Sequence, residues 1–595
     1  MKIEEKHFTS HDGIELFYRH WRPETRDNKA IILFHRGHEH SGRWHDVIEK
    51  LNLPGFDIFA WDARGHGKSP GERGYANDFG TLVQDVDQFV AHVSSTSGIP
   101  YENIVIFAHS VGSVLVSTWV HDYAPPIRGL VLGSPALRVR LYLPFAISGL
   151  RILQKIRKKT YISSYVKGHL LTRDPEKAHS YDTDPLITPK IAVNILLGLH
   201  DAATRLINDA GAITVPTLIL SSGADFVVEQ GVQKKFYDRL SSPRREMQTF
   251  VGFRHDTFNE LDNHLPIGKA RMFIEDLFDR NVEQVDLTGT DGASHTKIEH
   301  DALLSPLAWW SPKNWNFSLT RILMKTVGRI SQGITLGWKT GFDSGSMLDY
   351  VYENKARGIS PFGKLVDRAY LDSPGWKGIR QRKVNLETFL HSAIKNRLDE
   401  GEQVRVLDIA TGHGRYVLDV LAQFKNQDLT AVLRDYSDIN VIAGRKLAAS
   451  LKLSNVTYSQ GDAFDQLSLD QIDTNPNIAI VSGLYELFSN NDEVATSLAG
   501  VYAAMARGGT LIYTNQPWHP QLECIARVLS SHRGGDDWVM RRRTQQEMDQ
   551  LVAKAGFEKL DQKIDEDGIF SVSIAIKPVP TRQAPATKKA GAKTA

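Results

Sequence analysis

The stretch from Asn103 to Ser113, NIVIFAHSVGS, constrains this chain more than any other. Ile104 to Phe107 is a short continuous apolar run of the kind that a parallel sheet buries on both faces. It ends in Ala108-His109-Ser110-Val111-Gly112, which follows the G-x-S-x-G pattern with alanine in the first glycine position. A strand that reverses into a helix at such a serine holds it in a strained turn, and bulk two positions to either side would not fit. The spacing therefore predicts a strand, a sharp turn at Ser110 and a helix beginning at Val111.

Two further polar groups would complete a hydrolytic triad in the order serine, acid, histidine. Pro216 to Ser222 reads as a strand, and Asp225 lies in the turn directly after it. His255 lies in the loop after the next short strand. In that arrangement His255 takes the Ser110 proton and Asp225 orients the ring and stabilises the imidazolium. The loop after the strand Ala30–Phe34 (His35-Arg-Gly-His-Glu-His-Ser-Gly-Arg-Trp44) would supply one N–H of an oxyanion hole, from Gly37, and Val111 the other. The histidines of this loop have no carboxylate or third ligand at metal spacing, so no metal site is expected. The glycine-dense Asp62–Gly74 stretch lacks P-loop spacing and reads as a structural loop.

HxGxEHSGRW, DxRGHGxSxGxRG, AHSVG, GADxVV and the final histidine together resemble the monoacylglycerol lipase and lysophospholipase group of α/β-hydrolases. The resemblance covers residues 5 to 280. It implies an α/β-hydrolase fold with Ser110, Asp225 and His255 as catalytic residues, Gly37 and Val111 at the oxyanion hole, and an acyl-ester lipid substrate. Arg36 departs from the glycine usual there, and is expected to narrow the hole's entrance or to contact a phosphate. Residues 138 to 205 form an insertion expected to cap Ser110. Its apolar Leu141–Leu150 run, followed by Arg151, Lys155, Arg157, Lys158 and Lys159, suits a lipid interface as well as it suits packing on the domain.

At 595 residues the chain is too long for one ordinary core. Residues 281 to 344 read as a polar linker followed by a Trp-rich segment (Trp309, Trp310, Trp315) that leads into an amphipathic helix. Such a helix fits peripheral membrane contact or an inter-domain role equally. A second α/β unit is expected over residues 345 to 578. Val404 to Asp408 is a strand ending in Ile-Ala-Thr-Gly412-His-Gly414, with a helical pattern after it. The third glycine of a dinucleotide turn would fall at Val417, which argues against that ligand. The pattern D-x-A-x-G-x-G, from Asp408 to Gly414, resembles motif I of class I S-adenosylmethionine-dependent methyltransferases, with a Rossmann-like fold. The resemblance implies S-adenosylmethionine as cofactor, with Gly412 and Gly414 at its methionine part and Asp408 among the cofactor-binding residues. An acid at Asp435 would hold the ribose, and Asp462 and Phe464 the adenine. Tyr485 and Glu486, at the end of the fourth strand, would face the methyl acceptor, and His519 is a further candidate base. No Asn-Pro-Pro-aromatic motif ends that strand, so a nucleic-acid base is a poor acceptor.

Lys+Arg 71 against Asp+Glu 69 leaves a net charge of +2, without the basic excess of a nucleic-acid partner. No signal segment and no membrane-length apolar run are evident, which implies a cytoplasmic protein. The single cysteine, Cys524, cannot form an internal disulfide and reads as a core residue. Arg541 to Arg543 would meet an acidic headgroup or lie solvated on a helix turn. Residues 579 to 595 are low-complexity and expected to be disordered. The expectation is thus a bifunctional enzyme: a serine hydrolase cleaving lysophospholipid or monoacylglycerol esters, fused to a methyltransferase of unknown acceptor. The alternative is a serine aminopeptidase or thioesterase with a C-terminal half that only binds cofactor or scaffolds a membrane.

Overall fold

The structure, a computed structural model, describes residues 1–143, 145–157, 159–280, 284–472 and 475–579; the expectation for the C-terminal tail falls almost wholly outside them. Two sheets organise the chain. The first has eight strands: β1 (Lys2–Thr9), β2 (Glu15–Arg22), β3 (Lys29–Phe34), β4 (Phe56–Trp61), β5 (Ile104–His109), β6 (Gly129–Gly133), β7 (Thr217–Ser222) and β8 (Arg245–Phe250). They lie in the order β1-β2-β4-β3-β5-β6-β7-β8. Only β1 and β2 run against their neighbours. Every residue of β4, β5, β6 and β7 is buried, which is why β5 and β6 read as apolar runs in place of alternating ones, while β4 also buries Asp57 and β7 ends in buried Ser221 and Ser222. Helices Phe79–Ser97, Val111–Tyr123 and Val193–Asn208 cover one face, and His45–Leu51 and His264–Asp279 the other.

The insertion above the sheet holds helices Ala146–Ile156 and Pro175–Thr183 and a two-stranded ribbon, Tyr161–Ser163 with Lys190–Ala192. It is shorter than expected. Val193–Asn208 does not belong to the cap, because Ile195, Leu199 and Leu206 pack into the core of the sheet.

The second sheet contains β9 (Val404–Asp408), β10 (Leu429–Asp435), β11 (Val456–Gln460), β12 (Ile478–Val481), β13 (Thr510–Asn515), β14 (Glu558–Ile564) and β15 (Ser571–Ile576). Their order is β11-β10-β9-β12-β13-β15-β14. Relative to the second unit alone this is 3-2-1-4-5-7-6, with β15 inserted antiparallel between β13 and β14. Reversal of the strand order between β9 and β12 opens a crevice at their carboxyl ends, the usual ligand position in such sheets.

The stretch expected to be a linker is mostly ordered helix. Ser294 caps His295–Leu304 by accepting from Lys297 N at 3.1 Å, and Thr296 and Leu303 are buried. Helices Pro312–Lys325, Gln332–Thr340, Gly345–Glu353, Pro361–Leu371 and Pro374–Asp399 then lead into β9. Polarity misled here because His295–Leu304 settles its charged groups against both halves of the molecule, with His295 Nε2 3.1 Å from Asp209.

Arg541 to Arg543 are neither solvated nor free for a headgroup. All three are buried, with Arg541 on Glu547 at 2.7 Å, Arg542 on Asp209 and Arg543 on the carbonyl of Tyr485 at 2.6 Å. Cys524 is only half-buried, not a core residue, and lines a cavity described below.

Candidate active sites

Strand β5, in the interior of the sheet, delivers Ser110 at its carboxyl end with φ 54°, ψ −113°, a conformation that L-residues rarely adopt. Gly112 shows why the pattern needs small residues: a Cβ there would lie 2.5 Å from the His35 carbonyl oxygen and 2.8 Å from that of Phe34. The turns after β7 and β8 bring Asp225 and His255 to the serine. His255 Nε2 is 2.8 Å from Ser110 Oγ, and its Nδ1 is 2.8 Å from Asp225 Oδ2. Asp225 Oδ1 accepts from Val227 N at 2.7 Å and Val228 N at 3.0 Å. Burial pushes this carboxyl up, but His255 and the two backbone N–H groups outweigh it and hold the group below its usual range. His109 packs against His255 and bonds its carbonyl oxygen at 3.1 Å. Burial lowers His109 to about 4, so it is a neutral donor at ordinary pH.

Val111 opens the following helix, where backbone N–H groups lack helical partners, and Gly37 lies against it: a Cβ on Gly37 would sit 3.2 Å from Val111 Cγ2. Both line a cavity of about 160 Å³ together with Ser110 and His255. The rest of its wall is largely apolar, from Leu115, Leu141, Ile191, Ile195 and Leu199, and among the described residues it contains no Asp or Glu.

Arg36 lines this cavity too, and its Nε makes no hydrogen bond. It is buried, bonds Glu39 at 2.9 Å, lies 3.6 Å from Asp256 and covers the ring of Tyr181 in the cap. It ties the loop to the cap, as does His40, 3.0 Å from Asp184. His35 Nε2 accepts from Ala63 N at 3.0 Å, so these histidines hold the loop in place.

A cavity of about 860 Å³ lies at the carboxyl ends of β9, β10 and β12. Gly412, Gly414, Asp435, Asp462, Phe464 and Ser482 form part of its wall. Gly412 and Gly414 have φ of 58° and 73°, and a Cβ on Gly414 would come within 2.6 Å of the Tyr458 hydroxyl. Asp435 Oδ2 accepts from Gly412 N at 2.8 Å, and Oδ1 from Ser437 N and Asn440 Nδ2, both at 2.9 Å. Asp462 Oδ1 accepts from Phe464 N at 2.9 Å.

Two expected site residues lie elsewhere. Asp408 is fully buried beneath the glycine turn, where it accepts from the Tyr416 hydroxyl at 2.5 Å. Burial pushes its carboxyl up to about 7, although Tyr416, Thr411 and the N–H of Ala410 favour the charged form. It braces the turn and is absent from the cavity wall. Tyr485 is also buried, its hydroxyl on Ser497 at 3.1 Å, and it lines neither the large cavity nor its neighbour. Glu486 instead lies in the wall of an adjoining cavity of about 180 Å³, where His519 also sits.

Sequence reasoning missed the front wall of the large cavity: Asp343 to Ser346, Leu348, Asp349 and Tyr352, with His532 and Arg533 from far along the chain. Asp349 pairs with Arg415 just after the glycine turn, joining the helix Gly345–Glu353 to the start of the helix Arg415–Leu421, 66 residues away, a contact with no local pattern.

Comparison with known proteins agrees with both halves. Residues 270–577 match a family described as "Putative methyltransferase", and residues 25–262 one described as "Serine aminopeptidase, S33". The chain is 48% identical over 577 residues to "Uncharacterized protein YnbC" of Escherichia coli K12, covering 96% of this chain and 98% of that protein. It is 25% identical over 272 residues to a monoacylglycerol lipase of Mycolicibacterium smegmatis, covering 45% of this chain and 96% of the lipase. The solved monoacylglycerol lipase of Paleococcus ferrophilus is 26% identical with a TM-score of 0.41, covering 44% of this chain and all of that one. With that family matched over more than half of its length, and with a relative so similar from end to end, the chain belongs to the family described as "Putative methyltransferase", its methyltransferase domain fused behind an α/β-hydrolase domain of the serine-hydrolase type.

Proposed function

We propose that the N-terminal half hydrolyses an acyl ester of monoacylglycerol or lysophospholipid type. Ser110 attacks the carbonyl, His255 takes its proton and returns it to the leaving alcohol, and water deprotonated by His255 then releases the acyl group from Ser110 as the acid, while Asp225 holds the imidazole and the N–H groups of Gly37 and Val111 receive the oxyanion in both steps. The observation that carries this reading is the Ser110–His255–Asp225 chain of 2.8 Å contacts beside an apolar cavity. The aminopeptidase reading has less support, since the wall holds no carboxylate among the described residues to receive a substrate ammonium. Ser110→Ala should abolish turnover of a chromogenic acyl ester; full activity in that variant would remove the triad assignment. A panel of esters, thioesters and amino-acid anilides separates the substrate classes.

In the C-terminal half we infer an S-adenosylmethionine site in the large cavity. The residues fit the group. Positive-φ glycines at 412 and 414 leave a cradle, Asp435 and Asp462 sit at the ends of β10 and β11 for hydroxyl and amine partners, and Ser482 Oγ is buried with no partner of its own. Bound there, the cofactor supplies an electrophilic methyl group on a sulfonium. The protein's task is to hold it and the acceptor in line, which is mainly a matter of orientation. Calorimetric titration of S-adenosylhomocysteine tests the site, and Asp435→Ala should weaken binding.

Two surface segments support peripheral membrane contact. Helices Ala146–Ile156 and Pro312–Lys325 bury none of their residues. Phe145 is 87% exposed and Trp309 78% exposed. Among the described residues no helix is long and apolar enough to cross a membrane. Flotation with anionic liposomes, reduced by Trp309→Ser with Trp310→Ser, tests the contact.

A further inference from the structure

Beside the large cavity, and sharing Asp343, Leu348, Arg382, Gly483 and Leu487 with it, lies the second cavity of about 180 Å³. Its wall is chiefly aromatic and aliphatic: Trp376 and Trp538 stack with ring centres 6.4 Å apart, and Phe570, Ile525 and Leu529 complete it. An apolar cavity of about 150 Å³ accommodates one benzene ring, so this space suits an apolar body of about that size.

The polar groups in the wall are few and incompletely paired. Glu486 Oε1 accepts from Arg382 at 3.2 Å, whereas its Oε2 is buried without a partner. Gln516 Nε2 and Trp538 Nε1 are likewise buried donors with no acceptor. His519 Nδ1 accepts from Gln521 N at 3.0 Å, which leaves the ring proton on Nε2, and burial lowers this histidine to about 4, so it stays neutral. Unpartnered buried polar atoms are costly and point to a missing ligand group. One free carboxylate oxygen in the same wall as free N–H donors suits a ligand group that both donates and accepts. A hydroxyl does both. Arg382 gives Nη1 to Glu486 Oε1 and has only its buried Nε unpartnered, so a carboxylate would set a second negative charge against Glu486, and an ammonium would meet Arg382 without satisfying the N–H donors.

We infer that this second cavity is the methyl-acceptor site and that the acceptor is a neutral hydroxyl compound, a phenol or alcohol, with an apolar body about the size of one ring and its O–H directed at Glu486. The inference rests on the methyltransferase reading and adds to it the acceptor class and the proton's destination. The acceptor's O–H bond breaks toward Glu486 Oε2, and its oxygen bonds the methyl carbon as the methyl–sulfur bond breaks, that pair remaining on sulfur. Glu486 is thus the general base, and Tyr485, buried with its hydroxyl on Ser497, takes no part.

The test uses the full-length protein with 4-ethylphenol and 4-ethylbenzoate as probes, titrated calorimetrically in the presence of S-adenosylhomocysteine. The phenol should bind and the benzoate should not. Cys524→Trp, which fills the cavity, should abolish phenol binding and leave S-adenosylhomocysteine binding unchanged, which also shows that the variant is folded. Glu486→Gln should keep S-adenosylhomocysteine affinity, weaken phenol binding about tenfold and slow methyl transfer to it by about 10²- to 10⁴-fold. Equal binding of the benzoate, or phenol binding that survives Cys524→Trp, overturns the acceptor assignment while the cofactor reading stands. Wild-type protein that does not bind S-adenosylhomocysteine overturns both.

Discussion

Arg542 of the methyltransferase half grips Asp209 of the hydrolase half with both ends of its guanidinium, Nη1 to Oδ2 at 2.8 Å and Nη2 to Oδ1 at 2.7 Å. Both side chains are buried, and Asp209 also meets His121 at 2.8 Å and His295 at 3.1 Å. The two halves are therefore joined by a buried ionic contact in addition to the connecting chain. Breaking one side of a buried pair costs about 3–5 kcal/mol because a charge is left stranded, whereas apolar replacement of both partners is often neutral. Arg542→Ala should lower the urea midpoint followed by tryptophan fluorescence, and Asp209→Leu, which also leaves His121 and His295 without their shared carboxylate, should lower it at least as far. An Arg542→Ala protein that unfolds at the wild-type midpoint would show that the junction is held by other contacts.

The same cluster makes the junction sensitive to alkali. Burial lowers the pKa of His121, but its bonds to Asp122 at 2.7 Å and to Asp209 outweigh that and raise it above its ordinary 6.5. A group whose folded-state pKa is raised contributes stability that is complete below the unfolded value and is lost as pH rises through the folded value. Stability of the wild-type protein should accordingly fall as pH is raised above 6.5, and His121→Gln should flatten that slope. Urea midpoints at half-unit pH steps read it out.

For the hydrolase, the sign is opposite at Asp225, whose carboxyl is held below its usual range by His255 and two backbone N–H groups despite burial. Its contribution is present above the ordinary carboxylate range and is lost only when pH falls through the lowered value. Asp225→Asn keeps the shape of the acid but not its charge or tautomer preference. Esterase turnover should fall about 10⁴-fold, with the circular dichroism spectrum unchanged.

The elements legible in the sequence were those whose signal is local. β5 and the Ser110 turn were readable because burial on both faces and crowding at Gly112 each act within a few residues. Asp225 and His255 were readable because they follow strands whose order is fixed. The glycine turn at 412–414 announced a ligand crevice for the same reason. What failed depended on distant partners. Arg541 to Arg543 look like a solvated run until Asp209, more than 300 residues earlier, and Glu547 appear beside them. Residues 284 to 303 look like a linker because their polar groups pair with residues on other elements. Tyr485 stands at the end of β12 as expected, but the 3-10 turn there points its ring to Ser497 and gives the cavity wall to Glu486.

Asp408 separates a cofactor ligand from a brace. It lies under the glycine turn with the Tyr416 hydroxyl 2.5 Å away, and burial raises its carboxyl to about 7. With the folded pKa above the ordinary 3.8, stability is complete below that value and declines as pH rises through about 7. At about 1.4 kcal/mol per pKa unit the effect is at most a few kcal/mol. Asp408→Asn still accepts from Tyr416 and carries no charge, so its stability should change less than the wild type's between pH 4 and about 7. Because Asp408 is absent from the cavity wall, S-adenosylhomocysteine affinity at alkaline pH should be unchanged in the variant. A residue that touched the cofactor would give the reverse pattern, with affinity lost and the pH dependence of stability retained. Paired calorimetric titration and urea unfolding of the two proteins decide between these roles.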